Sequence, residues 1–129
     1  MLKTILIVED HTAVRNSLRN WLESEFTHIQ VKEAGSGEEA LSIVRKDLPD
    51  IIIMDIGLPC MSGIETARQI KSFSLDTRVI MLTIHEDEVH RRDAEAAGAD
   101  AYVPKRMLQT ELLPVLEILF SRNGSKYVI

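Results

Sequence analysis

Five side chains able to do chemistry each follow a short apolar run. Glu9 and Asp10 follow Ile5 to Val8, Asp55 follows Ile51 to Met54, and Thr83 follows Val79 to Leu82. Lys105 comes shortly after the weaker run Ala101 to Val103. If these runs are strands of one parallel sheet, the five groups converge beyond the strands' carboxyl ends, where open α/β sheets bind ligands. Three carboxylates brought together repel by about 4 kcal/mol per pair at ~4 Å with an effective dielectric of ~20. Something positive must offset that. Lys105 supplies one charge, and an all-oxygen cluster suits a hard divalent cation. Mg2+ fits, because it takes few carboxylate oxygens, keeps waters and leaves room for a phosphoryl group. Acidic residues at loop starts are often merely solvated, and Glu9 or Asp10 alone would be read that way. The whole set on one rim is not.

The same turns exclude other chemistries. A nucleotide-binding fold places glycines after its first strand, so that backbone N–H groups cradle phosphates. Here that turn reads Glu9-Asp10-His11-Thr12 and would repel them. Gly35-Ser36-Gly37 matches no phosphate loop and reads as a turn and helix cap, and no G-x-S-x-G elbow is present. A D-x-D phosphatase would need a second aspartate two residues after Asp55, where Gly57 stands. What remains is a nucleophilic carboxylate with a metal and a lysine, and no acid–base partner. Such a site can accept a phosphoryl group and hold it.

The elements that must position these groups are those of one domain. The chain has 129 residues, 45% of them apolar, which is enough for one core and too short for two ordinary ones. Only 5% is aromatic and the net charge is −5, a poor basis for nucleic-acid binding. A single cysteine, Cys60, excludes an internal disulfide framework and a thiolate zinc cage. The N-terminal apolar run ends at Glu9, too early for a signal segment or membrane span, so a soluble cytoplasmic protein is expected. Continuous apolar runs suit strands buried on both faces of a parallel sheet. A further strand around His28 to Ala34 alternates and belongs at an edge. Helical stripes lie between the strands: Val14, Leu18 and Leu22 with Ala13 and Trp21, then Ala40, Leu41 and Val44, then Ala67 and Ile70. Ser36 and Ser62 each precede a glutamate by three residues, the capping-box form. Glu86 to Ala97 has a weak stripe of Val89, Ala94 and Ala97, and the last helix runs roughly from Glu111 to Ser121. The order β-α repeated five times, with right-handed crossovers, predicts an α/β, doubly wound layer sandwich with a parallel five-stranded sheet.

This constellation resembles the receiver domain of two-component response regulators over nearly the whole chain. The matching elements are Glu9-Asp10, Asp55 with Gly57-Leu58-Pro59 and Met61-Ser62-Gly63, Thr83, Ala97-Gly98-Ala99, and Tyr102 three residues before Lys105. The resemblance implies a flavodoxin-like (βα)5 fold with strand order 2-1-3-4-5. It implies that Asp55 accepts phosphate from a sensor histidine kinase. Asp10, Asp55 and the Gly57 backbone carbonyl would ligate Mg2+, with Glu9 acting through water. Lys105 would pair with Asp55 and then the phosphoryl oxygens, Thr83 would move to the phosphoryl group, and Tyr102 would swing inward. A surface of the fourth helix, fifth strand and fifth helix would carry the response. Thr83-Ile84-His85 resembles the NarL/LuxR transcription-factor subgroup, which implies a receiver over residues 1–122, a linker starting at 123–129, and DNA contacts only through a C-terminal output domain beyond this chain. Two departures stand out: Glu9 occupies a position where Asp is common, and Arg106 follows Lys105 where many receivers have a cis proline. A non-proline cis bond costs ~3 kcal/mol, which favours a trans Lys105–Arg106 bond.

His11, His28 and His90 read as surface histidines without a role, whereas Ile84 and His85, beside Thr83, are candidates to shield or tune water access. Cys60 reads as a small loop side chain. In the last helix Val115, Leu119, Leu112, Leu116, Phe120 and Leu113 share an arc of about 160°, with Ile118 outside it, where a surface helix needs ~100°. That excess marks Val115 and Ile118 as a candidate interface, for a homodimer or a docking domain. The leading expectation is a phosphorylatable signalling switch without a membrane role. A stand-alone receiver or a phosphate-independent interaction module on the same fold is the rival, and a metal-dependent phosphatase comes third.

Overall fold

Five parallel strands, Lys3–Val8 (β1), Ile29–Ala34 (β2), Ile51–Asp55 (β3), Arg78–Thr83 (β4) and Ala101–Pro104 (β5), pair in the order β2-β1-β3-β4-β5 in a computed structural model that describes residues 2–121. Residues 123–129, expected to begin a linker, lie outside the described residues. The crossovers are Thr12–Glu25 (α1), Gly37–Lys46 (α2), Gly63–Phe73 (α3) and Glu88–Ala96 (α4), and Leu113–Ser121 (α5) closes the fold. Among the described residues, no helix is long and apolar enough to cross a membrane.

The apolar runs become central strands because each successive side chain finds a different layer. Ile5, Ile7, Ile51, Ile53, Ile80 and Leu82 pack against α1 and α5. Leu6, Val8, Ile52, Met54, Val79 and Met81 pack against α2, α3 and α4. The alternating segment is the edge strand β2, where Val31 is buried and Gln30 is exposed. Ser36 and Ser62 cap α2 and α3, accepting from Glu39 N–H at 3.0 Å and Glu65 N–H at 3.1 Å. Neither box closes reciprocally. The Glu39 carboxylate accepts from Gly35 N–H at 2.7 Å, and Glu65 turns instead to Arg68 and Gln69.

Three helices depart from the sequence reading. In α1, Leu18 and Leu22 are buried but Ala13 and Val14 face solvent, because the helix touches the sheet mainly through its second half. Helix α4 is shorter than Glu86 to Ala97, with Asp87 as its cap, and Val89 is 66% exposed, leaving Ala94 and Ala97 to hold it. The last helix begins well before Glu111, with a 3-10 turn at Lys105–Met107 and a π turn at Leu108–Leu112. Pro114 has no N–H for the carbonyl four residues back and its ring crowds that carbonyl, so the widened turn falls where the crowding must be relieved. Leu112, Leu116 and Leu119 are buried, and Val115 and Phe120 pack against the same core. Phe120 also meets Phe26 edge-on at 5.2 Å. Most of the wide apolar arc is therefore covered by the chain's own core, Val115 included, and Ile118 is left 39% exposed.

Glu33 ties α1 to the edge strand. Arg15 Nε donates to it at 2.9 Å and Arg19 donates to its other oxygen. Burial pushes the Glu33 carboxyl up, but the two arginines outweigh it and hold it below the usual 4.5. A depressed folded value means that this stabilisation is full above 4.5 and is lost as pH falls below it through the folded value. Glu33→Gln should therefore cost about 1 kcal/mol at pH 7, and the difference from wild type should shrink progressively in urea melts as the pH is lowered below 4.5.

Candidate functional site

The rim forms where three strands end. Asp55 closes β3 and is 6% exposed, and Glu9, just beyond β1, is 2% exposed. Lys105 follows β5 and places its Nζ 3.2 Å from Glu9 Oε1 and 3.2 Å from Asp55 Oδ2. Glu9 Oε2 accepts from His11 N–H at 3.1 Å and faces His11 Nδ1 at 2.9 Å. Burial raises the Glu9 carboxyl, yet the His11 hydrogen bonds and the Lys105 charge leave it below the ordinary value. Burial lowers Lys105, yet the charges of Asp55 and Glu9 leave it above. The hydrogen bond to Glu9, then the charge of Asp10, raise His11. His11 is thus exposed but bound into the acidic cluster, correcting its reading as a histidine without a role. The spacing Glu-x-His before a helix start was the signal available for it.

Asp10 tests whether a cation belongs here. Its Oδ1 is buried and receives no hydrogen bond, with His11 Nδ1 at 3.5 Å, close enough for charge attraction but not a bond. A buried carboxylate oxygen left bare is costly, because it has lost water and gained no donor. Asp55 Oδ1 accepts only the Gly57 N–H, at 3.0 Å. The donor set is all oxygen, and Glu9 has both oxygens engaged. These residues fit Mg2+. Asp10, through its bare Oδ1, and Asp55, whose Oδ1 has a single N–H partner, would hold it, and Glu9 is a carboxylate behind them.

Thr83 ends β4 at 1% exposure. Its Oγ1 accepts from His85 N–H at 2.8 Å, and the Tyr102 hydroxyl donates to His85 O at 2.6 Å. Burial raises the Tyr102 phenol, and the Thr83 hydroxyl beside it opposes that shift. Arg91 lies over the Tyr102 ring at 5.2 Å. Ile84 is 76% exposed, turned to solvent. The His85 ring stacks on His90. No cis peptide occurs among the described residues, so the Lys105–Arg106 bond is trans. Arg106 instead reaches back to Glu86 with two hydrogen bonds of 2.7 Å, tying the loop after β5 to the loop after β4. Arg15 donates to the Glu9 carbonyl at 2.7 Å. Sequence spacing signalled neither arginine, since both contacts depend on how distant loops meet.

Known proteins are similar to this chain in sequence and fold. The family model described as "Response regulator receiver domain" matches residues 5–117. Response regulator MprA of Mycolicibacterium vanbaalenii is 37% identical over 119 residues, covering 92% of this chain and 51% of that protein. The chain thus spans about half the length of the curated relatives it matches. A two-component response regulator of the LuxR family from Aurantimonas superposes with a TM-score of 0.86 at 34% identity, covering 95% of this chain and 89% of that one. Response regulator TrrA of Thermotoga maritima, solved in complex with Mg(2+)-BeF, gives 0.81 at 33% identity, covering 92% and 99%.

The backbone that carries Asp55 is held by a close approach that only glycine permits. Gly63 N–H donates to Ile56 O at 3.0 Å. A Cβ at Gly63 would sit 2.2 Å from the Asp55 carbonyl oxygen and 2.9 Å from Ile56 Cα, backbone atoms that cannot swing away. Gly63→Ala should therefore cost about 1–3 kcal/mol in thermal or urea unfolding, the range for overpacking. The largest amide NMR shift changes should fall at Asp55 to Gly57. A variant as stable as wild type, with unshifted amides there, would contradict the contact.

Proposed function

The chain belongs to the response regulator receiver domain family, and on that premise we propose that Asp55 is the phosphoacceptor of a two-component switch that a sensor histidine kinase phosphorylates. The observation that carries it is the Lys105 Nζ set 3.2 Å from both Asp55 and Glu9, beside an Asp10 oxygen with no hydrogen bond. Asp55 and Asp10, with the Gly57 backbone carbonyl, would hold Mg2+, and Glu9 would act through its waters. When bound, Mg2+ would neutralise the charge that builds between an attacking carboxylate and a phosphoryl group.

Asp55 attacks the phosphorus with a carboxylate oxygen, and the leaving group takes the electron pair. Lys105 first restrains the carboxylate and then pairs with the phosphoryl oxygens. Phosphorylation brings nearly two negative charges into the rim. The Thr83 hydroxyl turns to donate to a phosphoryl oxygen. Tyr102 loses that neighbour and resettles, and the loop that both grip through His85 moves with it. Helix α4 follows easily, since its buried residue is the small Ala94, with Ala97 just beyond its end. The surface of α4, β5 and α5 would then control a DNA-binding output domain. Net charge −5 gives this chain no counterion-release surface of its own. Ile84 and His85 would tune water access to the phosphoaspartate, and exposed Ile118, with Val115 at its edge, would contribute to a homodimer or docking contact.

Acetyl phosphate and Mg2+ followed by intact mass measurement test this directly. A phosphoryl adduct should form in wild type and be absent from Asp55→Asn, from Asp10→Ala and from wild type in EDTA. No adduct in wild type would leave an interaction module independent of phosphate, and turnover without accumulation would indicate a phosphatase. Lys105→Ala should bind Mg2+ more tightly by calorimetry, because a competing cation is gone. Its phosphorylation should no longer shift the amide signals of α4, and a variant that shifts them as wild type does would refute the coupling role.

A further inference from the structure

We infer that His85, Asp87 and His90 form a binding site for a borderline divalent transition ion, of the class of Zn2+, Co2+ or Ni2+, separate from the oxygen-lined rim. One donor atom from each residue lies within 4.8 Å of the others, a spread that one ion with bonds of about 2.0–2.2 Å can gather after small rotations. Part of the cluster has an ordinary explanation. Asp87 caps α4 by accepting from His90 N–H at 3.1 Å, and His90 Nδ1 lies 2.8 Å from both of its oxygens. Capping does not account for His85. Its ring comes from the loop after β4 and stacks on His90 with centroids 4.2 Å apart and planes 5° apart. Its nitrogens make no hydrogen bond among the described residues, so a second imidazole donor is held unspent beside a fixed carboxylate–histidine pair.

The donor chemistry selects the ion. Two imidazoles and a carboxylate suit zinc and its neighbours, whereas Mg2+ prefers oxygen alone, as at Asp10 and Asp55. Rotation about the last side-chain bond of histidine is soft, so both rings can turn their nitrogens to a common ion without moving backbone. The positive end of the α4 dipole opposes a cation, but weakly in comparison with three ligand bonds. Neighbouring Glu86 and Glu88 are engaged by Arg106 and Arg92, which leaves Asp87 as the acidic ligand. An ion here would brace the residue whose N–H and C=O are held by Thr83 and Tyr102.

Titration of the full unphosphorylated chain with ZnCl2 by calorimetry, and with CoCl2 by visible absorption, in excess Mg2+, tests the site. One equivalent of either ion should bind. His85→Ala and His90→Ala should each weaken binding about tenfold or more. Asp87→Asn, which keeps a capping side chain, should weaken it too, with an unchanged melting curve. His11→Ala should leave the affinity as in wild type. No saturable binding, equal binding by the His85 and His90 variants, or loss through His11→Ala instead would overturn the assignment. None of these readouts requires phosphorylation of Asp55, so they stand apart from that reading.

Discussion

The fold's central tension is that two buried carboxylates, Glu9 and Asp55, end neighbouring strands and are held together by one ammonium group, that of Lys105. Opposite charges removed from water gain Coulomb energy but lose hydration, so a buried pair of this kind is a poor device for stability. It is a good device for chemistry. Strand order β2-β1-β3-β4-β5 sets β1 beside β3 and lets the loop after β5 reach across to both. Gly63 lets α3 approach the Asp55 backbone, and Arg15 grips the Glu9 carbonyl. The scaffold is arranged so that the repulsion is nearly but not fully relieved, leaving Asp10 with an oxygen that no protein donor reaches.

What surrounds that rim differs in stiffness. The central strands are buried on both faces, and the layer of α1 and α5 is sealed by Leu18, Leu22, Leu112, Leu116 and Leu119. On the other side α4 stands on alanines, with Val89 in solvent. The segment between β4 and α4 is instead secured by polar ties: Thr83 and Tyr102 on the backbone of His85, Arg106 on Glu86, and Asp87 on the first turn of α4. Hydrogen bonds and surface ion pairs contribute modestly and can be exchanged one for another, whereas buried leucines cannot. Among the described residues, α4 is thus held to the sheet by small side chains and exchangeable polar ties.

The sequence by itself determined the class of fold and the cluster of chemical groups. Apolar runs of strand length, with acids, threonine and lysine at their ends, admit few arrangements once both faces must be buried and crossovers are right-handed. The Ser-x-x-Glu signals likewise marked the starts of α2 and α3, because a cap is satisfied by residues three apart. Tertiary structure decided everything that depends on which surfaces meet. Val14 and Val89 fit their helical stripes yet are exposed, since a stripe says which side is apolar and not how far along its length the helix touches the sheet. The arc of the last helix that carries Val115, Leu112, Leu116 and Leu119 was legible as one face, but that the chain's own core covers it, rather than a partner, was decided by packing. Arg15 and Arg106 joined the site region through contacts set by loop geometry. Local periodicity is written in covalent spacing; satisfaction of a buried charge depends on partners that only the packed chain brings within 3 Å or so.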